Sequence, residues 1–320
     1  MFCKKIGNRN GEAASYANLG TVYRLLGEYE KAREHLEKSL VIQKEIGDRH
    51  GKAASYGSLG IVYKSLGEYK KARGHLEKSL VILKEIEDRA GEAACYTNLG
   101  TVYGSVGEYE KAREHLEKSL VIQKEIGHRA GEASSYRNLG CVYQSLGEYE
   151  TARQHLEKSL LMQKEIGDRQ AEAACYTNLG NVYGSIGENA KAREHLEKSL
   201  VIQKEIGDRY GDAVSYSSLG CVYQLLGEYE AAKQHLEKSL GIQKEIGDRH
   251  GEAASYKNLG SVYKSLGEYE KAREHLEEPI QWSIKKLDTE PEKLPLTETL
   301  VMSIHRLANM RRLQTTFKNH

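Results

Sequence analysis

Seven histidines recur at intervals of 40 residues: His35, His75, His115, His155, His195, His235 and His275. Metal binding is the chemistry such a ladder suggests. A shared ion needs ligands about 2.0–2.1 Å away, whereas helices stacked side by side set successive rungs roughly 10 Å apart. No two rungs can share an ion, which leaves packing in a half-buried layer as the reading. His35 also lies four residues before Ser39, a spacing that puts a base beside a hydroxyl on one helix face, and the pair returns in six units. Six copies without a cleft or an oxyanion donor do not make a nucleophilic site. A small residue at a helix crossing explains Ser39. Cys95 and Cys175 share one column two units apart, as do Cys141 and Cys221. Stacked helices place such pairs about 20 Å apart, beyond the ~7 Å limit of a disulfide. The thiols are expected to be free and the setting cytoplasmic. The 21 tyrosines fall almost wholly in the columns of Tyr16, Tyr23 and Tyr29, which makes them core rather than a platform for nucleobases. No catalytic residue, metal or cofactor is expected.

The element that positions these residues is a unit written seven times without insertion or deletion. It begins GEAASYANLGTVYRLLGEYEKAREHLEKSL at Gly11, and the units occupy 11–50, 51–90, 91–130, 131–170, 171–210, 211–250 and 251–290. A fixed period of this length marks stacked supersecondary units, each meeting only its neighbours. Within 11–50, Tyr16, Leu19, Gly20, Tyr23 and Leu26 fall at 3–4 spacing and define a first helix. Gly27 suits the left-handed position after it. A second helix is expected from about Glu28 to Ile46, with Tyr29, Ala32, Leu36, Leu40 and Ile46 inward. Gly47 ends that helix, and Asp48 can cap the next one. Gly20 and Ala32 are small where the two helices would cross. The expected fold is all-α, a right-handed superhelical solenoid of seven helix hairpins.

These residues resemble the tetratricopeptide repeat (TPR). The family pattern asks for a large aromatic, Leu-Gly, Tyr, Ala, a large apolar residue and a small residue. In the first unit these fall on Tyr16, Leu19-Gly20, Tyr23, Ala32, Leu36 and Ser39. The usual repeat is roughly 34 residues long and closes on proline; here Lys44 stands at the proline position and the helices are longer. That longer unit, with its NLG and GDR tags, looks like the arrays of the Pins/LGN spindle-orientation adaptors and related large metazoan TPR scaffolds.

The units also serve as an alignment of one another. Leu19, Gly20, Val22, Tyr23, Ala32 and Leu36 return in all seven, while variation gathers at the columns of Ala17, Thr21, Arg24 and Leu25. Those offsets share one face of the first helix, and the resemblance implies that this face lines a concave ligand groove. The equally exposed second-helix text EKAREHLEKSL scarcely changes. Cations enter the variable face as Arg24 and Lys64, as Arg137, and as Lys257 and Lys264. A groove basic at its ends suits an extended protein segment with acidic flanks. Units three and five share Thr97/Thr177 and Gly104/Gly184, and units four and six share Gln144/Gln224, so the middle alternates with an 80-residue superperiod. The resemblance further implies that asparagines of the first helix grip a peptide backbone, which singles out Asn18, Asn98, Asn138, Asn178, Asn181 and Asn258. Local capping, or a bond to the neighbouring unit, is the other reading of these asparagines.

Lys+Arg number 47 against 46 Asp+Glu, a balance that argues against nucleic acid as partner. No apolar run approaches the ~20 residues of a membrane span. Residues 1–10 align with 41–50 and read as the remnant of a preceding repeat. Pro279 should kink or end its helix. Residues 291–320 read as a linker and a capping helix or tail, with a stripe of Leu300, Ile304, Leu307 and Leu313. The expected function is a non-catalytic scaffold or adaptor that binds an extended peptide in the groove. A regulatory array of a larger enzyme, or a spacer without a ligand, are the alternatives.

Overall fold

The computed structural model describes residues 8–289, with 282–289 by backbone alone. The expectations for 1–7 and for 291–320 lie outside the described residues. Two compact units divide the chain at Ile186 and Gly187. Unit 1 holds α1 (Arg9–Leu25), α2 (Tyr29–Glu45), α3 (Arg49–Ser65), α4 (Tyr69–Glu85), α5 (Arg89–Ser105), α6 (Tyr109–Glu125), α7 (Arg129–Ser145), α8 (Tyr149–Ile166) and α9 (Arg169–Ser185). Unit 2 holds α10 (Asn189–Ile206), α11 (Arg209–Leu225), α12 (Tyr229–Ile246), α13 (Arg249–Ser265) and α14 (Tyr269–Thr289). Among the described residues there is no strand. Each unit is an all-α solenoid of helix hairpins.

The turns follow from the GDR tag. Gly47 takes φ +74°, which glycine adopts without a Cβ penalty. Asp48 then caps α3, its Oδ1 accepting the Gly51 N–H at 2.9 Å, so one of the four orphan amides of the helix start is satisfied. Arg49 reaches across its hairpin to Glu85. Asn8 and Arg9 repeat both roles for α1, as the alignment of 1–10 with 41–50 implies.

The hairpin closes where Gly20 meets α2. A Cβ built there would lie 2.6 Å from Leu36 Cγ and 3.2 Å from the Ala32 carbonyl oxygen, so only glycine allows the approach. The leucines that fill these crossings, Leu36, Leu76, Leu116 and Leu156 in unit 1 and Leu236 in unit 2, are fully buried. Ser39 is buried at the crossing, as its small size implies, and also donates to the Ala13 carbonyl at 2.8 Å. Two expectations fail locally. Leu19 and Val22 are 43% and 49% exposed in α1, although Leu59 and Val62 in the same columns are fully buried; internal first helices are covered by the second helix before them, and α1 has none among the described residues. Of the kink or end expected at Pro279, the end is overturned: α14 continues through it to Thr289. A proline removes one ladder hydrogen bond and crowds one carbonyl, and here the flanking turns keep the helix going.

Candidate binding groove on the first helices

In unit 1 the variable face of the first helices opens into two pockets. The larger, about 450 Å³, lies between α3 and α5 with α4 as its floor, and Gly57, Ile61, Leu83 and Asn98 are in its wall. The second, about 290 Å³, lies between α5 and α7 and is lined by Thr101, Gly104, Asn138 and Cys141. Small residues make both openings: Gly57 and Gly104 occupy columns that carry Arg137 or Arg24 elsewhere. Asn98 and Asn138 are half-buried at these pockets, and neither side-chain amide has a hydrogen-bond partner among the described residues.

The other predicted asparagines separate into classes that the sequence left open. Asn178 Nδ2 donates to Cys141 Sγ at 3.3 Å, and in unit 2 Asn258 Nδ2 donates to Cys221 Sγ at 3.5 Å. Both bonds run to the preceding repeat, so these two amides hold neighbouring hairpins together. Asn18 is exposed on α1, and Asn181 is half-buried on α9.

The cations differ as sharply. Lys64 is half-buried near the end of α3, and desolvation pushes its ammonium below the ordinary lysine range. Its Nζ donates to Thr101 Oγ1 at 3.4 Å, and no carboxylate pairs with it among the described residues. Arg24 is half-buried in the last turn of α1. Arg137 is half-buried on α7, where its charge opposes the effect of burial on the thiols of Cys141 and Cys175. In unit 2, Lys257 and Lys264 are exposed on α13.

No reactive chemistry accompanies these groups. Burial pushes the Cys95 thiol up to about 11 and raises those of Cys141, Cys175 and Cys221, which keeps the nucleophilic thiolate scarce near neutral pH. All four are free. The histidine ladder packs as its period implies: His35 bonds the Lys31 carbonyl through Nδ1 at 2.8 Å, and its ring lies against Tyr16 and Tyr23. His75 is the exception, with a buried Nδ1 that lacks a partner. Among the described residues no cluster of His, Cys, Asp and Glu could hold a metal ion, and no helix is long and apolar enough to cross a membrane.

The outer second-helix face is constant for a reason that periodicity does not show. Lys44, at the position of the family's proline, stands over the Tyr56 ring of the next repeat at 5.5 Å. The Tyr63 hydroxyl donates to Glu37 Oε1 at 3.0 Å, again between repeats. Burial, then that carboxylate, push the Tyr63 phenol up to about 12. Lys31 pairs with Glu28, and Arg33 with Glu30 at 2.8 Å. These residues have partners within the array, whereas Asn98 and Asn138 line openings. Two groove residues escaped the sequence reading, Gly57 and Leu83. Comparing the columns flags Gly57, but Leu83 sits on a second helix, and only packing brings it to the first-helix face.

Comparison with known proteins agrees with this architecture. The tetratricopeptide repeat family model matches residues 11–85, 65–125, 91–165, 131–205, 172–245 and 212–278. No curated protein matches the chain in sequence. Among solved structures, the apo form of RapI is similar at 20% identity, TM-score 0.71, over 86% of this chain and 99% of that one. The apo form of the quorum sensor NprR from B. thuringiensis is 20% identical, TM-score 0.71, over 87% of this chain and 79% of that one. A signal transduction ATPase with a tetratricopeptide repeat sensor, from Pyrococcus horikoshii, is 20% identical, TM-score 0.67, over 88% of this chain but 44% of that one. At such identities the likeness is one of fold. With its repeats matched from residue 11 to residue 278 and its helices paired as the pattern requires, this protein belongs to the tetratricopeptide repeat family.

Proposed function

We propose that this chain is a non-catalytic scaffold or adaptor whose first-helix faces hold an extended segment of a partner protein. One contrast carries the reading. The constant outer residues are paired with one another, while two side-chain amides and a partly desolvated cation on the variable face have no amide or carboxylate partner. Buried or half-buried polar groups left this way gain most from a ligand that completes them.

In this reading Asn98 and Asn138 hold the segment's backbone, with Asn178, Asn258, Asn18 and Asn181 as further contacts. Arg24, Lys64 and Arg137 in unit 1, and Lys257 and Lys264 in unit 2, meet acidic residues. The resemblance to Pins/LGN-type adaptors extends the proposal to cytoplasmic, cytoskeleton-linked assembly such as spindle orientation. A second reading makes the chain the regulatory array of a larger protein, such as the ATPase with a tetratricopeptide repeat sensor, of which it matches 44%. A catalytic domain in the full-length transcript would decide for it.

The test is capture of partners from cytosolic extract. Reversal of Lys64 and Arg137, or of Lys257 and Lys264, to Glu should abolish capture without loss of helicity. Reversal of Lys31 and Lys111 on second helices should do little. Salt should slow capture, because exposed charges act mainly on the association rate. Equal effects of all pairs would mean diffuse charge and no groove, and indifference to all of them would leave a spacer.

A further inference from the structure

Repeat two departs from its sisters where the hairpin has no need of change, and three of its departures meet in one pocket. Gly57 stands in a column that elsewhere carries Ala, Thr, Arg, Ser or Lys. Ile61 replaces Thr, Cys, Asn or Ser, and Leu83 replaces the Gln of five other repeats. All three line the 450 Å³ pocket between α3 and α5. Each change removes a polar group or a side chain from that wall.

The space is open by composition and not by strain. A Cβ built on Gly57 meets only Ser79 Oγ, at 3.5 Å, an ordinary contact. In repeat three the same column carries Thr97, whose hydroxyl lies 2.8 Å from Ser119 Oγ and occupies the equivalent space. The Gln column is polar: Gln123 Oε1 contacts His128 at 2.8 Å and Gln203 Oε1 accepts from Ser215 at 2.7 Å, while the Oε1 atoms of Gln43, Gln163 and Gln243 are buried without a partner; Leu83 puts an apolar group there. Ile61, Leu76, Leu83 and Ala54 give the pocket an aliphatic side, the unpartnered Asn98 amide lies at it, and His50 and Asp88, 3.9 Å apart, form its polar rim with the Asp88 Oδ1 already engaged by the Gly91 N–H. Lys64 follows Ile61 by one helical turn, with a threonine hydroxyl as its contact and no carboxylate among the described residues.

We propose that this pocket is the specificity pocket of the unit 1 groove, taking one large aliphatic side chain from a protein segment that also carries an acidic residue for Lys64. The inference rests on the groove reading above and adds its selectivity. The aliphatic part of the wall defines the side chain, and the Lys64 ammonium, one turn beyond the pocket and without a carboxylate partner among the described residues, supplies the charge complement. Ile61 and Lys64 are about 4.5 Å apart along the helix axis, against ~3.3 Å per residue in an extended peptide. The aliphatic and acidic residues are therefore one or two positions apart. Asn98 meets the backbone between them.

A dodecapeptide display library selected on the full chain tests this, with dissociation constants of the selected peptides measured by fluorescence anisotropy. Selected peptides should share an aliphatic residue with Asp or Glu within about two positions. Gly57→Thr and Leu83→Gln restore residues found in the same columns of other repeats, so the fold is kept. Each should weaken binding about tenfold or more, the scale of one lost aliphatic burial. Lys64→Ser should remove the preference for the acid and keep that for the aliphatic residue, and Ser217→Thr in repeat six should change nothing. Peptides that bind Gly57→Thr and Leu83→Gln as well as the parent, yet fail on the Lys64 and Arg137 reversals, overturn the pocket and leave the groove standing. A library that yields no binder, or binders indifferent to every one of these changes, overturns both.

Discussion

Glu87 sits at the turn after α4 with φ +58°, the one described non-glycine residue in the left-handed region, where glycine stands at the turns of the other hairpins. A side chain there is strained, so Glu87→Gly should stabilise the protein by about 1 kcal/mol, read as a higher midpoint in urea with an unchanged slope. Asp212 shows a different local cost. Its column is Glu elsewhere except at Lys52, and the shorter side chain reaches Arg209 only at 3.7 Å with a buried Oδ1 left unpartnered. Desolvation raises its pKa, against the pull of Arg209. A raised folded pKa contributes stability below the unfolded value of roughly 3.9 and loses it as pH rises through the folded value. Asp212→Asn removes that titration. The variant should therefore gain stability relative to the parent between pH 4 and pH 7, and the two curves should converge toward pH 4; a gap that widens on acidification would refute the assignment.

At the scale of the element, the first helices are held at their starts by one device with one gap. Asn8, Asp48, Asp88, Asp168, Asp208 and Asp248 each cap a first helix through a side-chain oxygen. His128 in front of α7 makes no such bond and turns to Gln123 instead. His128→Asp should restore the cap and add about 1 kcal/mol, with hydrogen exchange slowed in the first turn of α7. Second helices do without a side-chain cap; Glu28 instead pairs with Lys31, which keeps a carboxylate at the positive end of α2. Asn189 replaces the tyrosine of its column at the start of α10 and leaves a buried Oδ1 without a partner.

For the whole chain, stability should be nearly additive over hairpins. Within each unit, helices pack against those one or two places along the sequence. Inter-repeat contacts such as Lys84 over Tyr96 and Lys124 over Tyr136 are interchangeable. Deletion of residues 91–130 should therefore leave a folded, slightly less stable chain. Gly100→Leu should be worse than that deletion. A Cβ there already meets Leu116 Cγ at 2.6 Å and the Ala112 carbonyl oxygen at 3.2 Å, and overpacking a closed crossing costs about 1–3 kcal/mol. Circular dichroism melts of the two variants decide it, because a deletion that unfolds while Gly100→Leu melts normally would contradict the repeat scheme.

Periodicity alone determined the helices, their pairing, the turn glycines, the aspartate caps and the Gly20–Leu36 crossing, because each depends on residues within one 40-residue unit. The variable face was legible too, since seven copies expose which columns are free to change. Four things needed the tertiary structure: the bonds from Asn178 to Cys141 and Asn258 to Cys221, the openness of Asn98 and Asn138, the entry of Leu83 into the pocket, and the pairing that holds the outer face constant. In the asparagine bonds, the pocket and the Lys44–Tyr56 and Glu37–Tyr63 contacts, the partner or the space belongs to a neighbouring repeat. Asn178 and Cys141 are 37 residues apart, and a separation of that kind becomes a contact only when one hairpin stacks on the next. Identical motifs within a unit therefore acquire different roles from what the adjacent unit places opposite them.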